Sequence, residues 1–344
     1  MTSVSPAPIA RFDSKSASVV GIRLHYWIGG DPTGQPVILW HGFLSTAYAW
    51  RDVAPALAKA GLAVLIPDMR GYGGSSAPVV SEAYALKEIA DDMVELHDRL
   101  GASPAIWIGH DLGSPVVGAL AAHHAKRCRG VVFLSVPYAP QAFVLPSLLP
   151  LVDRTLYPAD QYPDGQWDYY RFYLTHFDQT VSDMEADISA TLASMFRRGN
   201  PASAGKISPS ALLTQNGGRY GSTHRAPATL PDATLWPADD FDAVVEAFRI
   251  TGFRGANSWY LNGDANIAYS HAAPDGGRLS QPVLFLNSDW DAICDINRSR
   301  LGELMRSSCK DLSVTNMPAG HWLPLESKTE VVEAIRSWLN TKKL

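Results

Sequence analysis

The five residues Gly-His-Asp-Leu-Gly at positions 109–113 contain the side chain best placed to do chemistry. They follow an apolar run at 105–108 and precede a helical pattern at 114–126, which is the strand–turn–helix context of a nucleophile elbow. Small residues on both sides of the turn let the central side chain, Asp111, stand clear of the sheet. The alternative is that Asp111 merely caps a helix. The strand pattern before the turn and the helix pattern after it both match a nucleophile elbow, which favours a catalytic carboxylate.

A carboxylate nucleophile restricts the reaction. Attack on an ester would give an anhydride, which is an uphill exchange. Displacement of a leaving group from an sp³ carbon gives an alkyl ester that water can then hydrolyse. The sequence therefore predicts an epoxide or an alkyl halide as the substrate and disfavours lipase or esterase chemistry.

Hydrolysis of that ester requires a base and a group that orients the base. His321 lies in a Gly-His turn just before the last predicted helix, unlike the other histidines among the 10 in the chain. Asp291 directly follows the apolar run 281–287 and is the predicted orienting acid, with Asp289 and Asp295 as nearby competitors. The order Asp111, Asp291, His321 is the nucleophile–acid–base order of α/β hydrolases.

Negative charge that develops on the Asp111 ester must meet fixed hydrogen-bond donors. The backbone N–H groups of Phe43 and Leu112 are the candidates, because Phe43 follows a strand that ends at His41-Gly42 and Leu112 follows the nucleophile. The alternative is that His41-Gly42 is only a turn that ends a strand.

The apolar patterns predict which elements position these residues. Continuous apolar runs at 36–40, 62–67, 105–108 and 130–136 alternate with helical patterns at 47–60, 85–100 and 114–126. Such runs are typical of a parallel sheet covered on both faces. From 137 to 277 only helical patterns appear (167–177, 181–198 and 239–252), and strand patterns return at 281–287 and 311–315, with helices at 298–307 and 330–339. We predict an α/β core at 1–137 and 276–344 with an inserted, mostly helical cap at 138–275.

Composition excludes several other classes of protein. Of the 344 residues, 46% are hydrophobic and 18% charged, which is typical of a globular chain. The net charge of −5 and the absence of a basic stripe argue against nucleic-acid binding. Three cysteines are too few for a disulfide framework or a zinc site. Residues 1–16 show no secretory signal, and no run reaches the roughly 18 apolar residues of a membrane span, so we expect a cytoplasmic protein.

With these motifs in place, the sequence resembles the epoxide hydrolases of the α/β-hydrolase superfamily, over about residues 21–339. The resemblance rests on the elbow, on the turn-rich segment 68–78 and on segment 251–260, Thr-Gly-Phe-Arg-Gly-Ala-Asn-Ser-Trp-Tyr. It implies a mostly parallel sheet flanked by helices, an inserted helical cap, and Tyr260 as a proton donor to the opening epoxide. The family's second tyrosine lies four residues before a Phe, a spacing that Tyr173 satisfies, with Tyr170 as its competitor.

The expected function is conversion of a small, largely apolar epoxide and water into a vicinal diol, through an alkyl ester on Asp111. Neutral phenols suit this reaction, because the epoxide oxygen leaves as an alkoxide that must be protonated. Trp259, Trp322 and His41 are expected to line the substrate pocket. No metal or organic cofactor is expected, and the sequence leaves open whether the protein forms a homodimer.

Two departures from the family pattern bear on this expectation. Leu44 stands where the family's His-Gly-x-Pro motif has Pro, and Leu112 stands where many members carry Trp.

A dehalogenase with the same Asp nucleophile is the alternative enzyme. Haloalkane dehalogenases, however, carry a halide-binding Trp at the position of Leu112, and haloacetate dehalogenases carry arginines at the positions of Leu112 and Pro115. A non-catalytic ligand-binding member of the fold is the second alternative.

Overall fold

The computed structural model describes residues 8–344. Residues 1–7, on which the expectation about a secretory signal partly depends, lie outside the described residues. Within the described residues, no helix combines the length and the apolar character that crossing a bilayer requires.

An eight-stranded sheet forms the centre of the fold. Its strands are β1 (Phe12–Val19), β2 (Ile22–Gly30), β3 (Pro36–Trp40), β4 (Ala63–Pro67), β5 (Ala105–His110), β6 (Cys128–Leu134), β7 (Leu279–Ser288) and β8 (Cys309–Met317). They lie in the order β1-β2-β4-β3-β5-β6-β7-β8. The pairs β1–β2 and β2–β4 are antiparallel, whereas the pairs from β3–β4 to β7–β8 are parallel, which confirms the mostly parallel sheet.

The apolar runs form the central strands because helices cover both faces of the sheet. Side chains alternate between two apolar layers along β3: Val37 and Leu39 pack in one layer, and Ile38 and Trp40 pack in the other. All six residues of β5 are buried. The helices of this core are α1 (Val53–Lys59), α2 (Leu86–Arg99), α3 (Gly113–His123), α12 (Gly302–Ser308), α13 (Leu323–Glu326) and α14 (Lys328–Lys342).

Between β6 and β7 the described chain is helical and contains no strand. This cap comprises α4 (Leu145–Leu148), α5 (Asp168–Thr175), α6 (Phe177–Glu185), α7 (Ile188–Met195), α8 (Leu213–Asn216), α9 (Ala238–Thr251), α10 (Arg254–Ser258) and α11 (Gly263–His271). The single helix predicted at 181–198 is wrong. The chain breaks at Asp187, which has extended φ and ψ and whose side chain accepts a hydrogen bond from the backbone N–H of Ala190. Asp187 therefore caps a new helix, α7.

Polar contacts hold the cap on the core. Asp240 on α9 accepts hydrogen bonds from the Tyr48 hydroxyl at 2.6 Å and from Arg51 Nε at 2.8 Å. The indole N–H of Trp322 donates to the carbonyl of Met195, at the end of α7, at 3.1 Å. The cap is therefore joined to the core beside the loop that carries His321.

Candidate active site

Asp111 lies in the sharp turn between β5 and α3. Its φ of 52° is in the left-handed region, which is rare for a residue with a side chain and marks a strained turn. The glycines around it are required by close backbone approaches. A Cβ on Gly109 would lie 2.5 Å from the carbonyl oxygen of Gly113, and a Cβ on Gly42 would lie 2.4 Å from Cβ of Asp111. The chain therefore folds into the elbow that the sequence predicts.

The structure brings together the three residues predicted to form a triad. His321 Nε2 lies 3.2 Å from Asp111 Oδ2, and His321 Nδ1 lies 2.7 Å from Asp291 Oδ2. Asp291 is held by the backbone N–H groups of Ile293 at 2.8 Å and Cys294 at 3.2 Å, both of which donate to its Oδ1.

The two competing carboxylates next to Asp291 have other partners. Asp295 accepts hydrogen bonds from Asn287 at 3.0 Å and from Arg298 at 2.5 Å. Asp289 accepts from the same Asn287 side chain at 2.8 Å. Only Asp291 of the three therefore contacts the imidazole of His321.

Opposite charges shift the pKa values at the centre of this cluster. Burial alone would raise the pKa of Asp111, but its hydrogen bond to His321 and the imidazolium charge lower it below the ordinary value. Burial alone would lower the pKa of His321, but the carboxylates of Asp291 and Asp111 raise it well above 6.5. Both shifts favour an ion pair between a His321 imidazolium and the Asp111 carboxylate.

A second histidine and a serine hold the backbone of the His321 loop. The carbonyl of His321 accepts hydrogen bonds from His110 Nε2 at 2.7 Å and from the Ser135 hydroxyl at 2.8 Å. Burial lowers the pKa of His110 to about 4, with the charge of His321 acting in the same direction, so His110 is neutral near pH 7.

A buried carboxylate fixes the same loop from the other side. Glu326 accepts hydrogen bonds from the backbone N–H groups of Gly320 at 2.9 Å and Trp322 at 3.1 Å, the two neighbours of His321. It also accepts from the backbone N–H of Gly199 in the cap, at 2.9 Å. Glu326 thus joins the His321 loop to the cap, a role that the sequence motifs do not indicate.

Both candidate oxyanion donors lie beside the nucleophile. The backbone N–H of Phe43 donates to Asp111 Oδ1 at 2.6 Å, and the backbone N–H of Leu112 helps to lower the pKa of Asp111. Leu44, which replaces the family's Pro, has a φ of 61° that a proline ring could not adopt. A left-handed leucine therefore forms this turn, and Phe43 still reaches the nucleophile.

A cavity of about 190 Å³ lies over Asp111. Core residues on its wall include Phe43, Leu112, Asp291, His321 and Trp322, and cap residues include Tyr169, Arg219 and Tyr260. The ring centroids of Tyr169 and Tyr260 are 6.0 Å apart. Burial raises the pKa of both phenols well above 10, and the Asp111 carboxylate adds to this increase. Both phenols are therefore neutral near pH 7 and share the wall of the cavity with the nucleophile.

Three residues predicted for the site lie elsewhere. Tyr173 is buried outside the cavity wall, and its hydroxyl accepts hydrogen bonds from Arg219 Nε at 3.2 Å and Nη2 at 2.7 Å. His41 is fully buried, and its Nε2 accepts a hydrogen bond from the backbone N–H of Met69 at 3.0 Å, so it supports the turn after β4. Trp259 lines a separate small cavity next to Tyr170 and Tyr260.

Tyr169 lies on the cavity wall, where the family resemblance led us to expect Tyr173. The family spacing places a tyrosine four residues before Phe. If any aromatic residue is accepted in place of that Phe, the spacing also selects Tyr169, because Tyr173 follows it by four residues. Tyr170 packs its ring 4.9 Å from that of Tyr260 and does not line the cavity over Asp111.

Comparisons with known proteins agree with this architecture. A family model described as alpha/beta hydrolase fold matches residues 35–328. Epoxide hydrolase A of Mycobacterium tuberculosis is 33% identical over 326 residues, which are 94% of this chain and 96% of that protein. Bifunctional epoxide hydrolase 2 of Sus scrofa is 30% identical over 93% of this chain, but the chain spans only 54% of that longer protein.

Solved structures give the same result. The crystal structure of epoxide hydrolase A from Mycobacterium thermoresistibile has a TM-score of 0.75 and 30% identity, and the match covers 96% of this chain and 98% of that one. An epoxide hydrolase from an endophytic Streptomyces has a TM-score of 0.77 at 26% identity. By its matched family model and by relatives that align over nearly its whole length, the chain belongs to the epoxide hydrolases of the α/β-hydrolase fold.

Proposed function

We propose that this protein hydrolyses epoxides to vicinal diols through a covalent ester on Asp111. The observation that carries the proposal is one cavity with the Asp111 carboxylate on its core side and the hydroxyl-bearing rings of Tyr169 and Tyr260 on its cap side. An epoxide bound between them has its carbon near the nucleophile and its oxygen near two acids. This is the geometry of a displacement with the leaving oxygen held opposite the attacking one.

Ring opening forms one bond and breaks another. Asp111 Oδ2 attacks an epoxide carbon, the carbon–oxygen bond breaks, and the electron pair stays on the epoxide oxygen. Tyr169 and Tyr260 hydrogen-bond to that oxygen and supply a proton, because an alkoxide is much more basic than a phenolate. The Asp111 ester is neutral, so His321 loses one of the two carboxylates that raise its pKa. The imidazolium of His321 can then give its proton to the phenolate that protonated the epoxide oxygen.

Ester hydrolysis uses the neutral His321 that results. His321 takes a proton from water, and the oxygen of that water attacks Cγ of Asp111. The oxyanion forms on Oδ1, where the N–H of Phe43 already lies 2.6 Å away. Collapse breaks the Cγ–Oδ2 bond, and the second proton of the water passes to the departing Oδ2, which leaves as a hydroxyl of the diol. Asp111 is again a carboxylate, and with the proton held by His321 it restores the resting ion pair. Asp291 keeps the imidazole oriented throughout, with Nδ1 toward the carboxylate and Nε2 toward the water.

The direct test is product formation from a panel of small epoxides, with fluoroacetate and 1-chlorobutane as parallel substrates. We expect diol from the epoxides and no halide release. Asp111→Ala should abolish turnover, whereas Asp242→Ala, at an exposed position on α9, should leave turnover as in the parent. Halide release without diol formation would instead support the dehalogenase alternative, and epoxide hydrolysis by Asp111→Ala at the parental rate would contradict the proposed nucleophile.

A further inference from the structure

A guanidinium without a carboxylate partner lies on the wall of the same cavity. Arg219 lines the cavity together with Asp111, Tyr260 and His321. Its protein hydrogen bonds go to one neutral group, the hydroxyl of Tyr173, which accepts from Nε and Nη2. In the described part of the chain, no carboxylate oxygen lies within 4.0 Å of its nitrogens.

Three other arginines of the cap are paired with carboxylates. Arg171 lies 3.0 Å from Asp164, Arg225 lies 2.7 Å from Asp187, and Arg254 lies 2.6 Å from Asp178. The side chains of these three arginines are also more than 40% exposed. These three exposed arginines therefore each have a carboxylate partner, whereas the cavity arginine has none among residues 8–344.

Such an arrangement is costly unless a ligand completes it. A guanidinium stays charged at any ordinary pH and has five N–H donors in a rigid fork. Tyr173 accepts two of the donated hydrogens, one from Nε and one from Nη2, so three remain. A half-buried charge gains strongly from an opposite charge that enters the cavity, and a carboxylate matches the planar fork best.

We propose that Arg219 binds a carboxylate on the substrate, so that the preferred substrate is a short epoxy-carboxylic acid. The epoxide would lie between Asp111 and the two phenols, and the carboxylate would lie at Arg219. This inference rests on the proposed function, because it assigns the part of the same cavity that would bind the carboxylate end of the epoxide substrate. It revises the sequence-based expectation of a small, largely apolar epoxide. A volume of about 190 Å³ is below the 300–1,000 Å³ of pockets for drug-sized ligands and favours a short chain.

The test compares two substrates that differ in charge and hardly in size, 5,6-epoxyhexanoate and 5,6-epoxyhexanamide. We expect the parent enzyme to have at least a tenfold higher kcat/KM for the carboxylate than for the amide. Arg219→Gln should reduce this preference to about twofold or less, and Arg219→Lys should keep part of it, since the charge remains and the fork is lost. Arg225→Gln, on the exposed surface of the cap, should keep the full preference.

The Tyr173→Phe variant tests whether Arg219 recognises the charge of the substrate or only holds the side chain of Tyr173 in place. This variant removes the acceptor of Arg219 and keeps the guanidinium, so we expect it to retain the preference for the carboxylate. Equal kcat/KM for acid and amide in the parent, or loss of the preference in Tyr173→Phe, would overturn the inference.

A binding measurement makes the inference independent of turnover. By calorimetry, hexanoate should bind the parent at least tenfold more tightly than hexanamide, and Arg219→Gln should bind the two about equally. If neither epoxide is hydrolysed while hexanoate still binds selectively, the proposed function fails and the anion site stands. If both epoxides are hydrolysed equally and hexanoate shows no selectivity, the anion site fails and the proposed function stands.

Discussion

The backbone N–H of Phe43, the proposed oxyanion donor, lies 2.6 Å from Oδ1 of Asp111 and already holds one oxygen of this carboxylate. The two oxygens of the nucleophile are therefore distinguished before substrate binds. Oδ1 is fixed at Phe43, and Oδ2 faces His321 at 3.2 Å and remains available for attack. The same donor then lies where the oxyanion forms during ester hydrolysis, which requires no rearrangement between the two steps.

Leu44→Pro should slow the hydrolytic step. Proline restores the family residue, but its ring fixes φ near −65°, whereas Leu44 has a φ of 61°, so the turn and the N–H of Phe43 must move. Loss of one oxyanion donor typically costs on the order of 10²-fold in rate. Rapid-quench measurement should show the alkyl-enzyme accumulating.

Leu44→Gly is the matched variant, because glycine adopts the same φ without strain. It should keep the hydrolytic rate while losing about 2–5 kcal/mol of stability through the missing buried side chain. Unchanged ester hydrolysis in Leu44→Pro would show that Phe43 does not hold the oxyanion.

His321 should titrate above its ordinary pKa, and a neutral residue at position 111 should lower that pKa. Asp291 and Asp111 both raise the pKa of His321, and Asp111→Asn removes one of these charges just as alkylation does. In NMR titrations, the midpoint of His321 should fall from the parent to Asp111→Asn and fall further when Asp291→Asn is added. An identical midpoint in parent and Asp111→Asn would contradict release of the His321 proton by alkylation.

The same shift predicts how stability depends on pH. A histidine whose pKa is higher in the folded state stabilises the fold fully below its unfolded pKa, near 6.5. That stabilisation is lost as the pH rises through the folded-state pKa. The free energy of unfolding of the parent should therefore decrease above pH 6.5 more steeply than that of His321→Gln. Parallel curves for the two proteins in urea denaturation would contradict the raised pKa.

Tyr169→Phe and Tyr260→Phe should each slow ring opening, by about 10- to 100-fold, because general acids contribute roughly 10²–10⁴-fold and two phenols share the task. The double variant should lose most alkylation activity. Tyr170→Phe serves as the control, because Tyr170 lies on α5 outside the cavity over Asp111. Stopped-flow fluorescence of Trp322, which lines the cavity, can follow alkylation in a single turnover. Normal alkylation by Tyr169→Phe together with its loss in Tyr173→Phe would restore the spacing-based assignment.

Glu326→Gln should lower kcat without altering the residues that touch substrate. The carboxylate accepts three backbone N–H groups around the His321 loop and the cap, and the amide that replaces it offers one acceptor oxygen instead of two. A small displacement of the base can cost on the order of 10²-fold in rate. The measurement is kcat together with the thermal midpoint, with Glu333→Gln, exposed on α14, as the control. Parental kcat in Glu326→Gln would show that the loop does not need this anchor.

The sequence predicts best those residues whose position depends on local backbone geometry. Asp111, Asp291 and His321 each follow the end of a strand, and parallel strands end at one edge of a sheet, so strand-end patterns were enough to group them. The edge strand β1 and its neighbour β2 were not predicted. Most residues of β1 are exposed, so it lacks the continuous apolar run that marks a buried strand.

The cap was less predictable for a different reason. On α5, Tyr169, Tyr170 and Tyr173 are all largely enclosed, so the apolar pattern does not reveal which ring faces Asp111. The rotation of α5 over the core decides which of the three rings lines the cavity over Asp111. This rotation depends on packing between segments far apart in sequence. The position of Arg219, in a loop after α8, depends on the same packing.

A single turnover in ¹⁸O-water distinguishes attack by Asp111 on the epoxide from direct attack by water. With enzyme in excess over a small epoxide, the oxygen of the attacking water should enter the Asp111 carboxylate, and the diol from this first turnover should contain no label. Mass spectrometry of the peptide that contains Asp111 should show a gain of 2 Da relative to enzyme incubated without substrate. Label in the diol after one turnover, with none in that peptide, would mean that water opens the epoxide directly and that Asp111 is not the nucleophile.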